Sequence, residues 1–185
     1  MSDTQFPRFM VFQQAGEGEP LLHNGTVHAP DIEMALLNAR DVFVRRPDAV
    51  ALWVVPVDAI YSQTREELTQ TIARSAKHDE AIPNPELEDY YVFGKLSQQA
   101  QATHLGKVNA NSPQAAMNAA VEKFSDRKVL RWYVFPASAV LKSKPGEADP
   151  MFAPARDKTY KDQAEYPVVT MMRQIRATGH LEEDK

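Results

Sequence analysis

HNGTVHAPDIEMALLNARDVF (residues 23–43) lines up without a gap on HLGKVNANSPQAAMNAAVEKF (residues 104–124). His23, Gly25, Val27, Ala29, Ala35, Ala39 and Phe43 meet the same residue types at His104, Gly106, Val108, Ala110, Ala116, Ala120 and Phe124. Leu36/Met117 and Asp41/Glu122 are conservative pairs, and Arg46 falls on Arg127. Upstream, RFMVFQQAG (8–16) keeps the same spacing to DYYVFGKLS (89–97). Downstream, after one gapped position, LWVVPVDAI (52–60) meets WYVFPASAV (132–140). A repeat at fixed spacing sets the architecture, so it is read first. The competing explanation, convergence of two similar ββαβ units, has to produce this register by chance.

Each copy reads in the same way. Residues 9–13 and 90–94 are β-branched and aromatic runs, expected as strands. Residues 21–28 and 102–109 are expected as second strands that complete a hairpin. Gly25 and Gly106 inside them point to a bulge or a close backbone approach. Ile32, Ala35, Leu36, Ala39, Val42 and Phe43 then repeat at helical spacing as one apolar stripe. Asp31 and Ser112 are N-caps for this helix and its counterpart, and Pro113 suits a first helical position. The small residues Ala35, Ala39, Ala116 and Ala120 let each helix lie close to a sheet. Last strands are expected at 52–55 and 132–135, ended by Pro56 and Pro136, with short helical turns over 57–62 and 137–142.

The fold class is therefore α+β: two tandem ββαβ units, pseudo-two-fold related, each a small antiparallel or mixed sheet with a helix on one face, plus an extended C-terminal arm. A right-handed crossover puts the helix on one face. Three strands and a helix bury too little alone, so the copies must share a core or a continuous sheet. The expected division is 1–63 and 89–143 for the units, 64–88 for a linker and 144–185 for the arm. In the linker, Leu68, Ile72 and Ala76 have helical spacing before two prolines intervene. The arm carries Phe152, Tyr160 and Tyr166 among several prolines, and these rings pack either on the chain itself or on a partner. The final ATGHLEEDK is expected to be disordered.

Composition narrows the function. The chain has 185 residues, 43% of them hydrophobic, and a net charge of −4. That balance argues against nucleic acid and anionic membranes as partners. It has no cysteine, which removes disulfides, thiolate metal sites and a cysteine nucleophile and fits a cytoplasmic setting. No apolar run reaches the roughly 20 residues that a bilayer span needs, and the start of the chain does not read as a signal peptide.

Catalytic patterns are missing. Of the histidines His23, His28, His78, His104 and His180, His23 and His28 could share a strand region, but no carboxylate sits at ligand spacing beside that pair and no H-x-x-x-H helix occurs. The recurrence of His23 as His104 fits a shared structural hydrogen bond better than a metal. Without an E-x-x-H helix the chain cannot build a four-helix di-iron centre by itself. No G-x-G-x-x-G, P-loop or G-x-S-x-G motif occurs. Glu66-Glu67 and the Glu86–Asp89 run read as solvated charge. Trp53 and Trp132 are offset by one position in the alignment and so belong on opposite faces of their sheets, in a core or as anchors for a partner. Arg45 and Arg46 close the first helix, where they suit its dipole or meet an acidic partner.

These residues carry a family resemblance. The stretch His23–Gly25, Ala29–Asp31, Met34–Asp41, Arg45-Arg46 and Leu52–Val55 resembles the small B subunit of bacterial phenylacetyl-CoA epoxidase complexes. MFAPARDKTYKDQAEYP (151–167) is similar to that family's tail. The family is typically a single unit of about half this length, whereas here the unit is doubled and the second copy has drifted, with Asp126 in place of the first arginine. The resemblance implies a non-catalytic accessory or assembly subunit with no cofactor of its own. Its implied partners are two large ferritin-like oxygenase subunits, one catalytic with a di-iron site and one structural, and a flavin and iron–sulfur reductase. Candidate interface residues, chosen by type, are Arg45, Arg46, Trp53, Trp132, Phe152, Tyr160 and Tyr166. Two other readings compete: a small-ligand-binding regulatory domain with a site between the repeats, and a ferredoxin-like enzyme using His23, His28 or His104.

Overall fold

The computed structural model describes residues 6–44, 49–69, 86–144, 151–153, 172–173 and 175–177. In the first segment β1 (Arg8–Gln14) and β2 (Leu22–His28) form a hairpin, followed by helix α1 (Ile32–Phe43) and strand β3 (Ala51–Pro56) against β1. The second segment runs through β5 (Glu88–Lys95), β6 (Thr103–Ala110), α2 (Pro113–Lys123) and β7 (Arg131–Pro136) in the same order. The turns expected after Pro56 and Pro136 are shorter than the sequence reading has them. Each is a 3-10 turn, Val57–Ala59 or Ala137–Ala139, that leads into a further strand, β4 (Tyr61–Thr64) or β8 (Leu141–Lys142).

These last strands change the architecture. Instead of two small sheets there is one eight-stranded sheet, in the order β4-β7-β5-β6-β2-β1-β3-β8. Every pairing among the described strands is antiparallel. The order reads the same from either edge when each first-segment strand is exchanged for its counterpart. β4 of the first segment pairs with β7 of the second, Tyr61 opposite Val134, and β8 of the second pairs with β3 of the first, Val54 opposite Leu141. The segments thus exchange their last strands. At the centre, β2 meets β6 through Leu22 opposite Thr103, where the His23 amide donates to the Ala102 carbonyl at 2.9 Å and the His104 amide to the Leu21 carbonyl at 3.0 Å.

The sheet is folded over at this seam. β1 and β5 are three strand steps apart, roughly 14 Å on a flat sheet. Yet the Phe12 and Phe93 ring centroids lie 4.2 Å apart. Strand alternation then sorts the side chains onto two faces. Phe9, Val11, Leu52 and Val54 pack outward with Ala35 and Ala39 of α1. Tyr90, Val92, Trp132 and Val134 pack with Ala116, Met117 and Ala120 of α2. Phe12, Val55, Tyr91, Phe93 and Phe135 point inward into a third core between the halves. The halves therefore share both a sheet and a core.

Local chemistry explains the elements. The carboxylate of Asp31 accepts the Met34 amide at 2.7 Å and the hydroxyl of Ser112 the Ala115 amide at 3.2 Å, so both expected caps form. Thr64 and Glu67 make a reciprocal capping box: the Thr64 amide donates to Glu67 Oε2 at 2.7 Å and the Glu67 amide to Thr64 Oγ1 at 3.2 Å. It starts the helix that covers residues 65–69. Glu67 is thus a cap rather than merely solvated charge, and its carboxyl is held below the usual range by the Thr64 amide and hydroxyl. Ile72 and Ala76 lie outside the described residues.

The C-terminal region is not simply extended: residues 151–153, 172–173 and 175–177 are helical, as suits Met, Ala and Arg. Phe152 is 2% exposed and joins the core beneath α1. Leu68 joins the core beneath α2, so each segment also sends an apolar side chain into the other's outer core.

Candidate functional site

The residues singled out in the sequence scatter. Trp132 is buried beneath α2 and Phe152 beneath α1, each within the chain's own core. Trp53 lies on the opposite face to Trp132, as the one-position offset requires, at the partly buried margin of the central core. Arg45, Arg46, Tyr160 and Tyr166 lie outside the described residues.

Trp53 belongs to a built cluster. Its ring centroid is 4.7 Å from that of Tyr91 and 5.9 Å from that of His104. Lys142, delivered by the exchanged strand β8, holds its ammonium 4.3 Å from the centroid of Trp53 and 4.5 Å from that of Tyr91, and donates to the Tyr91 hydroxyl. Lys107 lies 5.0 Å from the Tyr91 centroid and pairs with Asp89 at 3.5 Å. A cation over two rings ties β8 of one segment to β3 and β5 across the seam, each such contact contributing about 1 kcal/mol. The corresponding positions in the other half are Tyr133, Met10, His23, Ser62 and Thr26. There the guanidinium of Arg131 lies 5.7 Å from the Tyr133 centroid and donates to Ser62 Oγ at 3.3 Å. The halves share a fold and differ in chemistry.

The histidines flank this seam. His23 Nε2 meets the Gly25 carbonyl oxygen at 3.1 Å. His104 Nε2 is buried without a hydrogen bond. The Gly106 carbonyl lies near enough to favour the charged ring but is not placed to bond it. Burial is the main cause that pushes both imidazoles below their ordinary pKa, and Lys107 and Lys142 add to it at His104 as Lys95 does at His23. His28 is exposed at the other end of β2, with Nδ1 2.8 Å from the Phe6 carbonyl oxygen. The three histidines are thus not gathered around one acid–base centre. Among the described residues no three His, Asp or Glu side chains are placed to hold a metal, and no helix is long and apolar enough to cross a membrane.

Two features escape the sequence reading. On α1, Met34 (41%), Leu37 (41%) and Val42 (47%) are exposed. Helical spacing puts Val42 on the buried stripe, but Ala35 and Ala39 carry the contact and the helix turns Val42 outward. The matching positions on α2 are Ala115, Asn118 and Lys123, so this set of large exposed apolar side chains is particular to α1. Comparison of the two aligned helices could have found it. The second feature is a cavity of about 450 Å³ between residues 65–69 and the 121–132 stretch. It requires the two segments to be brought together, which no local pattern announces.

Comparison with known proteins places the chain. The family model described as phenylacetic acid degradation B matches residues 5–80 and again residues 86–173. The B subunit of the 1,2-phenylacetyl-CoA epoxidase of Escherichia coli (strain K12) is 39% identical over 67 residues, which are 36% of this chain and 70% of that relative. No solved structure matches the chain significantly. By a match that spans most of its length in two successive segments, the chain belongs to the phenylacetic acid degradation B family.

Proposed function

We propose that the chain is a non-catalytic accessory subunit of a multicomponent oxygenase that epoxidises the aromatic ring of phenylacetyl-CoA, and that it completes or bridges the assembly. On this reading the partners are two large ferritin-like subunits, one holding a di-iron site, with electrons from a flavin and iron–sulfur reductase. The relative's name as an epoxidase subunit supports this. The observation that carries it is the apolar face of α1. Met34, Leu37 and Val42 lie unburied on α1 where α2 has Ala115, Asn118 and Lys123, and exposed apolar side chains on a helix suit a protein-docking surface when a partner covers them. Trp53, partly buried beside Lys142, is the most accessible of the aromatic interface candidates among the described residues.

We also read the chain as a fusion of two copies of one unit, 1–63 and 89–143, joined by 64–88 and followed by the arm from 144. The family model's two matches and the exchange-symmetric strand order support that reading.

Co-expression with the large oxygenase subunits tests the function. The wild-type chain co-purifies with them, and Leu37→Asp lowers recovery about tenfold or more while leaving the melting temperature unchanged. Failure of the wild-type chain to co-elute would sink the proposal. Normal assembly of the variant would remove α1 as the contact.

A further inference from the structure

We infer that the cavity between the two segments is a binding site for a small phosphate monoester with an apolar body. It does not depend on the accessory-subunit reading. The first segment contributes Arg65 and Leu68, and the second contributes Asp126, Arg127, Lys128 and Trp132. The volume of about 450 Å³ lies in the range of small-molecule sites. Three cations face one carboxylate, a local excess of positive charge in a chain whose net charge is −4.

Among the described residues the ion pairs are Arg40–Asp41 and Lys107–Asp89, so Arg65, Arg127 and Lys128 have no described carboxylate in contact. Gathering unpaired cations around a concavity raises their mutual repulsion and concentrates anions there. The balance left after Asp126 is two positive charges. That matches a phosphate monoester, which carries about −1.5 to −2 at neutral pH, better than a single carboxylate. Two guanidinium groups also suit phosphate, since each can present a planar pair of donors. Leu68, Val129 and Trp132, each largely buried, line the apolar side of the cavity, where the carbon part of the ligand would lie.

The other half shows the contrast. Val44, Ala49 and Leu52, which align with Ser125, Val129 and Trp132, share one continuous core with Phe152 and Met151. In the second half the matching Val129 and Trp132 share a core with Leu68, and the cavity beside them is lined by Arg65, Arg127 and Lys128.

Calorimetric titration of the full chain with phenyl phosphate, inorganic phosphate and phenylacetate tests the site. Saturable binding of phenyl phosphate is expected, with inorganic phosphate and phenylacetate each about tenfold weaker and with affinity falling as salt rises. Arg65→Ala and Arg127→Ala should each weaken phenyl phosphate about tenfold. Lys128→Ala, on the loop after α2, is the variant to use if either arginine change lowers the melting temperature. Absence of saturable binding, equal affinity for phenylacetate, or unchanged affinity in variants that fold would each overturn the proposal.

Discussion

Gly106 has a φ of 151°, and a Cβ there would lie 2.9 Å from Phe124 Cζ; Gly25, with φ 149°, would meet Phe43 Cζ at 3.0 Å. The strand thus passes close under the phenylalanine at the end of its helix, in both halves. Alanine at position 106 combines a backbone conformation that side chains rarely adopt with a clash against a ring, and is expected to cost about 2 kcal/mol. Gly18, with φ 79° and open space around it, shares only the backbone problem, so Gly18→Ala should cost about 1 kcal/mol. Urea denaturation of the two variants separates these contributions. Equal costs would mean that the ring moves away freely.

At the level of elements, the reciprocal packing of Phe152 and Leu68 matters most. Phe152 is 2% exposed in the core beneath α1 although it lies far beyond β3 in sequence. Phe152→Ala should therefore destabilise the whole chain by about 3 kcal/mol, as a buried ring does. Phe6→Ala, at a residue 60% exposed, should change stability by less than about 0.5 kcal/mol. Denaturant midpoints of the two variants decide the matter. Most elements were legible in the sequence because their signals are local: the β-branched and aromatic runs of β1 and β5, the helical spacing of α1, and the caps Asp31 and Ser112. β4 and β8 were not, since four and two residues carry too little periodicity and their hydrogen bonds come from the other segment. The same reason hid the cavity. The outward turn of Val42 was hidden differently, because two small alanines, rather than the widest apolar arc, set which side of α1 meets the sheet.

On the scale of the whole molecule, the shared central core ties stability to pH. His104 and His23 are held neutral, chiefly by burial, with Lys107, Lys142 and Lys95 opposing their charging. The unfolded chain takes up these protons near pH 6.5 and the folded chain only at lower pH. Stability is therefore flat above that value and falls as pH drops below it. Denaturation between pH 7.5 and 5.5 should show this fall, and a His23→Gln, His104→Gln double variant should flatten it. An unchanged slope in the double variant would place the titration elsewhere.

The exchange of last strands also bears on how the protein is made. A chain leaving the ribosome completes β4 at Thr64, but the strand that hydrogen-bonds it, β7, starts only at Arg131. The first core waits longer still, for β8 and then Phe152. Neither half can finish folding while the other is unmade, so translation must run past β7 before the second outer core is sealed and past Phe152 before the first is. Such long-range closure is slow and leaves sticky intermediates. Nascent chains of this protein should accordingly be strong clients of ribosome-associated chaperones, and a premature stop anywhere before Phe152 should yield insoluble product rather than a smaller working domain.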